Sequence, residues 1–167
     1  MFSLVLLALA GGCGGDDEEE AERPPSLPSA EEQATETAQA ADLTDTSRKP
    51  AIPKPTGSPP SRLVVENIVK GKGRPSKKGD TLTVQYVGVT FSTGTQFDAS
   101  WDRGQPFTTR IPGQVIEGWN RGLLGMRQGG RRKLTIPPGL AYGAQGQPPS
   151  IGPNETLVFV IDLVRIG

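Results

Sequence analysis

The stretch Val84–Gln85–Tyr86–Val87–Gly88, inside the run Thr81 to Val89, decides how the chain is read. Leu82, Val84 and Tyr86 alternate with other residues, which places them on one face of a strand that buries that face. Further along the chain stand Phe97–Asp98, Val115–Ile116–Glu117–Gly118–Trp119 and Ala141–Tyr142–Gly143. These segments scatter aromatic rings and one carboxylate through a β-rich region. They contain no histidine, no activated nucleophile and no group of metal ligands, so no metal or cofactor is expected. Chemistry built from such parts works through shape, desolvation and a few hydrogen bonds.

Working outward, Leu63–Val64–Val65 with Ile68–Val69 reads as a first strand. Gly71–Lys72–Gly73 and Pro75 to Asp80 read as loops, and Ser92–Thr93–Gly94–Thr95 as a turn. Phe97 to Ser100 and Phe107 to Ile111 are short strand candidates. Ile116, Trp119, Leu123 and Met126 recur at helical spacing, which predicts one short helix over 115–124. Gly118 and Gly122 weaken that helix, so packing must hold it. Arg131 to Ile136 is a strand stopped by Pro137 and Pro138, and Arg131–Arg132–Lys133 reads as a solvated strand face. Leu157, Phe159, Ile161 and Leu163 share one face of a final strand. The pattern predicts an α+β domain, an antiparallel sheet covering a helix.

Composition divides the 167 residues. Every Trp and Tyr, and every Phe but Phe2, lies beyond residue 80, and residues 16–60 hold no aromatic. Glu, Ala, Thr, Ser and Pro dominate that segment, too little apolar surface to offset chain entropy. Residues 13–60 therefore read as a disordered acidic and proline-rich tether, and 61–167 as the folded domain. The net charge of zero hides an asymmetry: residues 1–60 hold 11 acids and 4 bases, and residues 61–167 hold 14 bases and 7 acids. The bases are spread over several segments and do not form the stripe of a nucleic-acid binder. The surface reads as solvated and loosely screened by its own acidic tether.

Phe2 to Ala10 is apolar and too short to span a bilayer, which takes about 20 residues. It has the length of a signal-peptide core. With Leu9–Ala10–Gly11–Gly12–Cys13 it resembles a bacterial lipoprotein signal, in which cleavage precedes an acylated cysteine. That resemblance implies a signal over 1–12, a lipid on Cys13, and a lipid-anchored, extracytoplasmic protein of the cell envelope. It departs from the pattern in having Ala10 where leucine is usual and no Lys or Arg ahead of the apolar run. The alternative is an incidental cysteine, because a lone cysteine forms neither an internal disulfide nor a metal cluster.

Seven motifs in order are specific in combination: Tyr86–Val87–Gly88, Phe97–Asp98, Asp102–Arg103–Gly104–Gln105–Pro106–Phe107, Val115–Ile116–Glu117–Gly118–Trp119, Leu134–Thr135–Ile136–Pro137, Ala141–Tyr142–Gly143–Ala144 and Thr156–Leu157–Val158–Phe159. Over nearly all of residues 61–167 the chain resembles the FKBP-type peptidyl-prolyl cis–trans isomerases, which bind rapamycin and tacrolimus. The resemblance implies a half-open antiparallel sheet wrapped over the short helix, with a pocket between them. It implies a catalytic set of Tyr86, Phe97, Asp98, Tyr142 and Phe159. Substrate would be bound by Arg103, Phe107, Val115, Ile116, Trp119 and Ile151, with Trp119 as the floor and Arg103 paired to Asp98. Gln114, Gln147 and Ser150 depart from residues common at the family's rim. The implied partners are proline-containing polypeptides and macrolides, acting on a monomer without a cofactor. The same pocket also suits a second reading, a proline-directed binding module or holdase with little turnover.

Overall fold

A computed structural model describes residues 43–167. The expectations for residues 1–42, including the signal, Cys13 and most of the tether, lie outside the described residues. Among the described residues eight strands form: β1 Val64–Val69, β2 Lys72–Pro75, β3 Thr81–Thr90, β4 Gln96–Ala99, β5 Phe107–Arg110, β6 Arg127–Gln128, β7 Arg131–Ile136 and β8 Leu157–Ile166. The main sheet has the antiparallel order β1-β7-β8-β3-β4, with β5 also paired to β3. The pair of β3 and β8 is its spine, with Tyr86 opposite Ile161 and Gly88 opposite Phe159.

One face of that spine carries Leu82, Val84, Tyr86, Leu157, Phe159, Ile161 and Leu163, all buried with Trp119, Leu123 and Met126. Helix α1, Glu117–Gly122, supplies the other side of this core. It is shorter than the expected 115–124, because Ile116, with φ −57° and ψ 148°, becomes the N-cap and Leu123 the C-cap. Its two buried glycines explain why a weak helix is used. A Cβ on Gly122 would stand 2.7 Å from the Leu134 side chain, and one on Gly118 would collide with Ile136. Their absence lets the helix backbone lie directly on β7, and the apolar area removed from water replaces lost propensity.

Three expectations change. Lys72–Pro75, read as loop, forms β2 and pairs with β6. All four of its residues are exposed, so it lacks the alternation that marks a strand. Arg131 and Arg132 are not on a solvated face: they are 0% and 6% exposed. Arg131 donates to Asp162 through Nε at 2.5 Å and Nη2 at 2.8 Å. Arg132 donates to the carbonyls of Gly122 at 2.6 Å and Leu124 at 2.9 Å, and to Asn67 at 2.8 Å. It thereby satisfies carbonyls that the end of α1 leaves unpaired. Burial is tolerated because each guanidinium is hydrogen-bonded on several sides.

The third change concerns the tether. Residues 43–60 run against the domain as a strap. The carbonyls of Leu43 and Arg48 each accept a bond of 3.0 Å from Arg131. Pro50 is buried. Ile52 packs on the cluster of Val87, Val89 and Val158 from the spine and Ala99 from β4, on the side away from α1. Composition averaged over the segment hides this, since one isoleucine and a few backbone carbonyls do the packing. Among the described residues no helix is long and apolar enough to cross a membrane.

Candidate active site

Between α1 and the sheet lies a cavity of about 430 Å³, lined by Tyr86, Phe97, Asp98, Phe107, Gln114, Val115, Ile116, Trp119, Tyr142 and Phe159. Each lining residue comes from a different constraint. Tyr86 and Phe159 point inward by strand alternation on β3 and β8. Gly88 makes room beside them, since a Cβ there would sit 2.7 Å from the Phe97 ring and 2.8 Å from that of Phe159. Trp119 rises from α1 and meets the Tyr86 ring at 5.1 Å and 86°, and the Phe159 ring at 5.3 Å and 84°. Phe97 meets Phe159 at 5.4 Å and 87°. Phe107 stands 6.1 Å from both Tyr86 and Trp119. These edge-to-face contacts fix the rings and leave their faces for a ligand.

The polar side is a three-residue network. The Tyr86 hydroxyl donates to Asp98 Oδ2 at 2.5 Å, and Arg103 Nη2 donates to the Tyr86 oxygen at 2.8 Å. Arg103 Nη1 donates to the other oxygen of Asp98. The guanidinium also lies 5.6 Å from the Tyr86 ring centroid. Burial first, and the bond to Asp98 second, push the Tyr86 phenol up to about 12. It therefore keeps its proton at any physiological pH. Burial and then the charge of Asp98 also push Tyr142 up.

A short 3-10 turn, Trp101–Arg103, presents Arg103. It is held from both sides: Lys49 Nζ of the strap meets Asp102 Oδ1 at 2.6 Å, and Gln96 Nε2 donates to Asp102 Oδ2 at 2.8 Å. Those two bonds, Lys49 first, hold Asp102 below the usual carboxylate range.

Of the residues expected in the site, nine line the cavity. Arg103 does not line it and acts on it only through Asp98 and Tyr86. Ile151 does not line it either: it is 2% exposed and belongs to the core beside Trp119 and Phe159. Its backbone is fixed by Gln147, with which it exchanges hydrogen bonds of 2.8 and 3.0 Å. Gln114, expected only at the rim, is a wall residue. The Trp119 Nε1–H is buried with no acceptor among the described residues.

An apolar cage of rings with one hydrogen-bonded carboxylate defines a pocket for a compact, uncharged ring, and comparison with known proteins places it. Residues 72–164 match the family profile of FKBP-type peptidyl-prolyl cis-trans isomerases. The chain is 50% identical over 120 residues to an FK506-binding protein of Streptomyces anulatus, a match covering 71% of this chain and 97% of that one. It is 48% identical over 117 residues to a probable FK506-binding protein of Corynebacterium glutamicum, covering 70% and 97%. A crystal structure of AtFKBP13 superposes with a TM-score of 0.60 at 38% identity, covering 65% of this chain and 95% of that one. The chain belongs to the FKBP-type peptidyl-prolyl cis-trans isomerases. Its activity is the rotation of X–Pro peptide bonds, which takes the enzyme reading over that of a passive binding module.

Proposed function

We propose that the enzyme turns X–Pro bonds of secreted or envelope proteins as they fold, from a lipid anchor on Cys13, and that each wall of the cavity has a separate part in the rotation. The X–Pro bond resists turning because resonance stiffens its C–N bond, with a barrier of roughly 18–20 kcal/mol. At the twisted transition state that resonance is lost, the carbonyl carries less charge and the nitrogen becomes pyramidal. An apolar enclosure disfavours the planar, more polar ground state relative to the twisted one. In this proposal the prolyl ring rests on Trp119 among Tyr86, Phe107 and Phe159. The Ile116 N–H, which α1 does not use, donates to one substrate carbonyl, and the Tyr142 hydroxyl to another. Asp98 orients through Tyr86 and Arg103 and transfers no proton. All of these are differential binding of the twisted state, and each factor of ten takes about 1.4 kcal/mol.

The observation that carries the chemistry is the ring cage closed by Trp119, with its one carboxylate already committed to Tyr86 and Arg103. The cavity is complete within one copy of the chain, which suits a monomer. It is also of a size and polarity to take macrolides such as those the relatives' name denotes. The anchor rests on the sequence Leu9 to Cys13 and on the order signal, cysteine, acidic segment, domain. Exchange measurements on an X–Pro peptide test the first part, and titration with FK506 tests macrolide binding. Membrane fractionation of a Cys13→Ala variant, with the mass of the mature N-terminus, tests the second. A mutant still bound to membranes overturns the anchor and leaves the isomerase reading intact.

A further inference from the structure

One end of the sheet gathers positive charge that the enzyme's reaction does not use. Lys70, Lys72, Arg74, Lys77, Lys78, Arg110, Arg127 and Arg165 are all exposed. The fold brings them together. Lys72 and Arg127 belong to the paired ribbon β2 and β6. Arg165 lies opposite Thr83, and Arg110 opposite Thr81, on the two neighbours of β3. Lys77 and Lys78 sit in the turn that leads to Asp80. A groove of about 480 Å³ runs through this end between Lys72, Arg74, Gln128 and the exposed Val164. Arg74 is paired with Asp80 at 2.6 Å, and Glu117 lies near enough to Lys78 to feel its charge. No acid is seen within salt-bridge distance of Lys70, Lys72, Lys77, Lys78 or Arg165 among the described residues. None of the eight cations lines the catalytic cavity.

The chain carries its own counterpart. Residues 1–42 hold ten acids and one base, net −9, and residues 43–167 hold 17 bases and eight acids, net +9. Six of the acids fall within seven positions: Asp16, Asp17, Glu18, Glu19, Glu20 and Glu22. The strap starts close to the basic end. Leu43 is bonded to Arg131, whose partner across the sheet is Val69, the residue before Lys70. The 20 residues between Glu22 and Leu43 can span up to roughly 70 Å, more than enough to reach any part of this face. A segment tethered so closely acts at an effective concentration on the order of millimolar.

We propose that the basic end of the sheet is a docking face for the chain's own acidic stretch Asp16–Glu22. The stretch reaches the groove between β2, β6 and the end of β8 at Lys72, the one unpaired cation among the described residues that line it, and its other carboxylates turn to Lys70, Lys77, Lys78 and Arg165 outside the groove. The contact is electrostatic and exposed. It is a screen over the basic face, not a second core, and it leaves the catalytic cavity open.

Zero-length carbodiimide coupling of the full chain, followed by peptide mapping, reads the contact directly. Glu18, Glu19, Glu20 and Glu22 couple to Lys70, Lys72, Lys77 and Lys78 at low ionic strength. The yield falls by about tenfold in about 1 M salt, where the screening length is only about 3 Å. Coupling spread equally over Lys49, Lys54 and Lys133, or unaffected by salt, overturns the proposal. A second measurement separates the segment from an anionic membrane as the occupant. Two chains carrying Cys13→Ala, one with the six acids changed to Asn or Gln, are floated with phosphatidylglycerol vesicles. The chain lacking the six acids binds about tenfold or more tightly, since its uncovered lysines and arginines are drawn to the anionic surface. Equal binding by both chains means that the face is already open to the membrane, and overturns the proposal.

Discussion

Lys49 Nζ stands 2.6 Å from Asp102 Oδ1, so the strap grips the turn whose next residue, Arg103, completes the network with Asp98 and Tyr86. Both partners are half-exposed, and water and salt screen such a pair strongly. Lys49→Ala is therefore expected to lower kcat/KM by about fivefold at most, with Lys49→Arg restoring it. Asp102→Asn added to Lys49→Ala should cost little more than either alone. Steady-state kinetics on an X–Pro peptide checks this. Fully additive losses would mean that the two residues act separately.

Phe159 is 4% exposed and touches Trp119, Phe97 and Tyr86. Phe159→Ala opens both the cavity wall and the core. Chemical denaturation should show a loss of roughly 3–5 kcal/mol, with turnover and macrolide affinity falling together.

Tyr142 is expected to matter through one hydrogen bond alone. Tyr142→Phe keeps the ring, so the melting temperature should hold while activity falls by about tenfold or less, the equivalent of roughly 0.5–1.5 kcal/mol. Asp98→Val should slow turnover without abolishing it, and the wild-type rate should stay nearly flat from about pH 6 to about pH 8, with no histidine present to titrate. Complete loss in a folded Asp98→Val protein, or a steep profile, would show that a proton is transferred.

Tyr86 makes an alkaline prediction. In the folded chain its phenol is raised from 10.0 to about 12 by burial and by Asp98. An unfolded chain gives up that proton near pH 10, while the folded one keeps it. The contribution is thus present in full below pH 10 and is lost as the pH climbs to about 12, at about 1.4 kcal/mol per pKa unit. Denaturation midpoints from about pH 9 to about pH 12 should fall more steeply for wild type than for Tyr86→Phe. Equal slopes would mean the phenol is not held by burial.

Every lining residue of the cavity lies within 61–167, so a chain starting at residue 61 should fold and isomerise X–Pro peptides. It should also be less stable than one starting at residue 43. Arg131 loses two carbonyl partners and Ile52 no longer covers Val87, Val89 and Val158. A difference of about 2–5 kcal/mol is expected from these bonds to a charged group and the exposed apolar area. Paired thermal melts of the two chains measure it.

The strands of the spine and the ring cage are legible in the sequence because alternation and aromatic residues mark them directly. Leu82, Val84 and Tyr86 fall on the face that the period of two assigns, and Trp119 falls on the buried side of the helix. Burial that depends on a partner far along the chain is not legible. Arg131–Arg132–Lys133 looks like a solvated run until Asp162, Asn67 and the carbonyls of Gly122, Leu124, Leu43 and Arg48 come together around it. Ile151 carries no local sign of whether it faces the cavity or the core beneath. β2 has no apolar alternation to announce it, and Ile52 is one apolar residue in a segment that reads as polar and proline-rich.

The strap also sets a path for mechanical load. A pull on the chain ahead of Leu43 reaches the sheet first at Arg131, where two carbonyls and a buried carboxylate share one guanidinium. It then meets Ile52, and only after that β1. The rings of Tyr86, Phe97, Phe107 and Phe159 belong to strands further along this path. Tension on the N-terminus is thus spent in peeling the strap before any strand that shapes the cavity is strained.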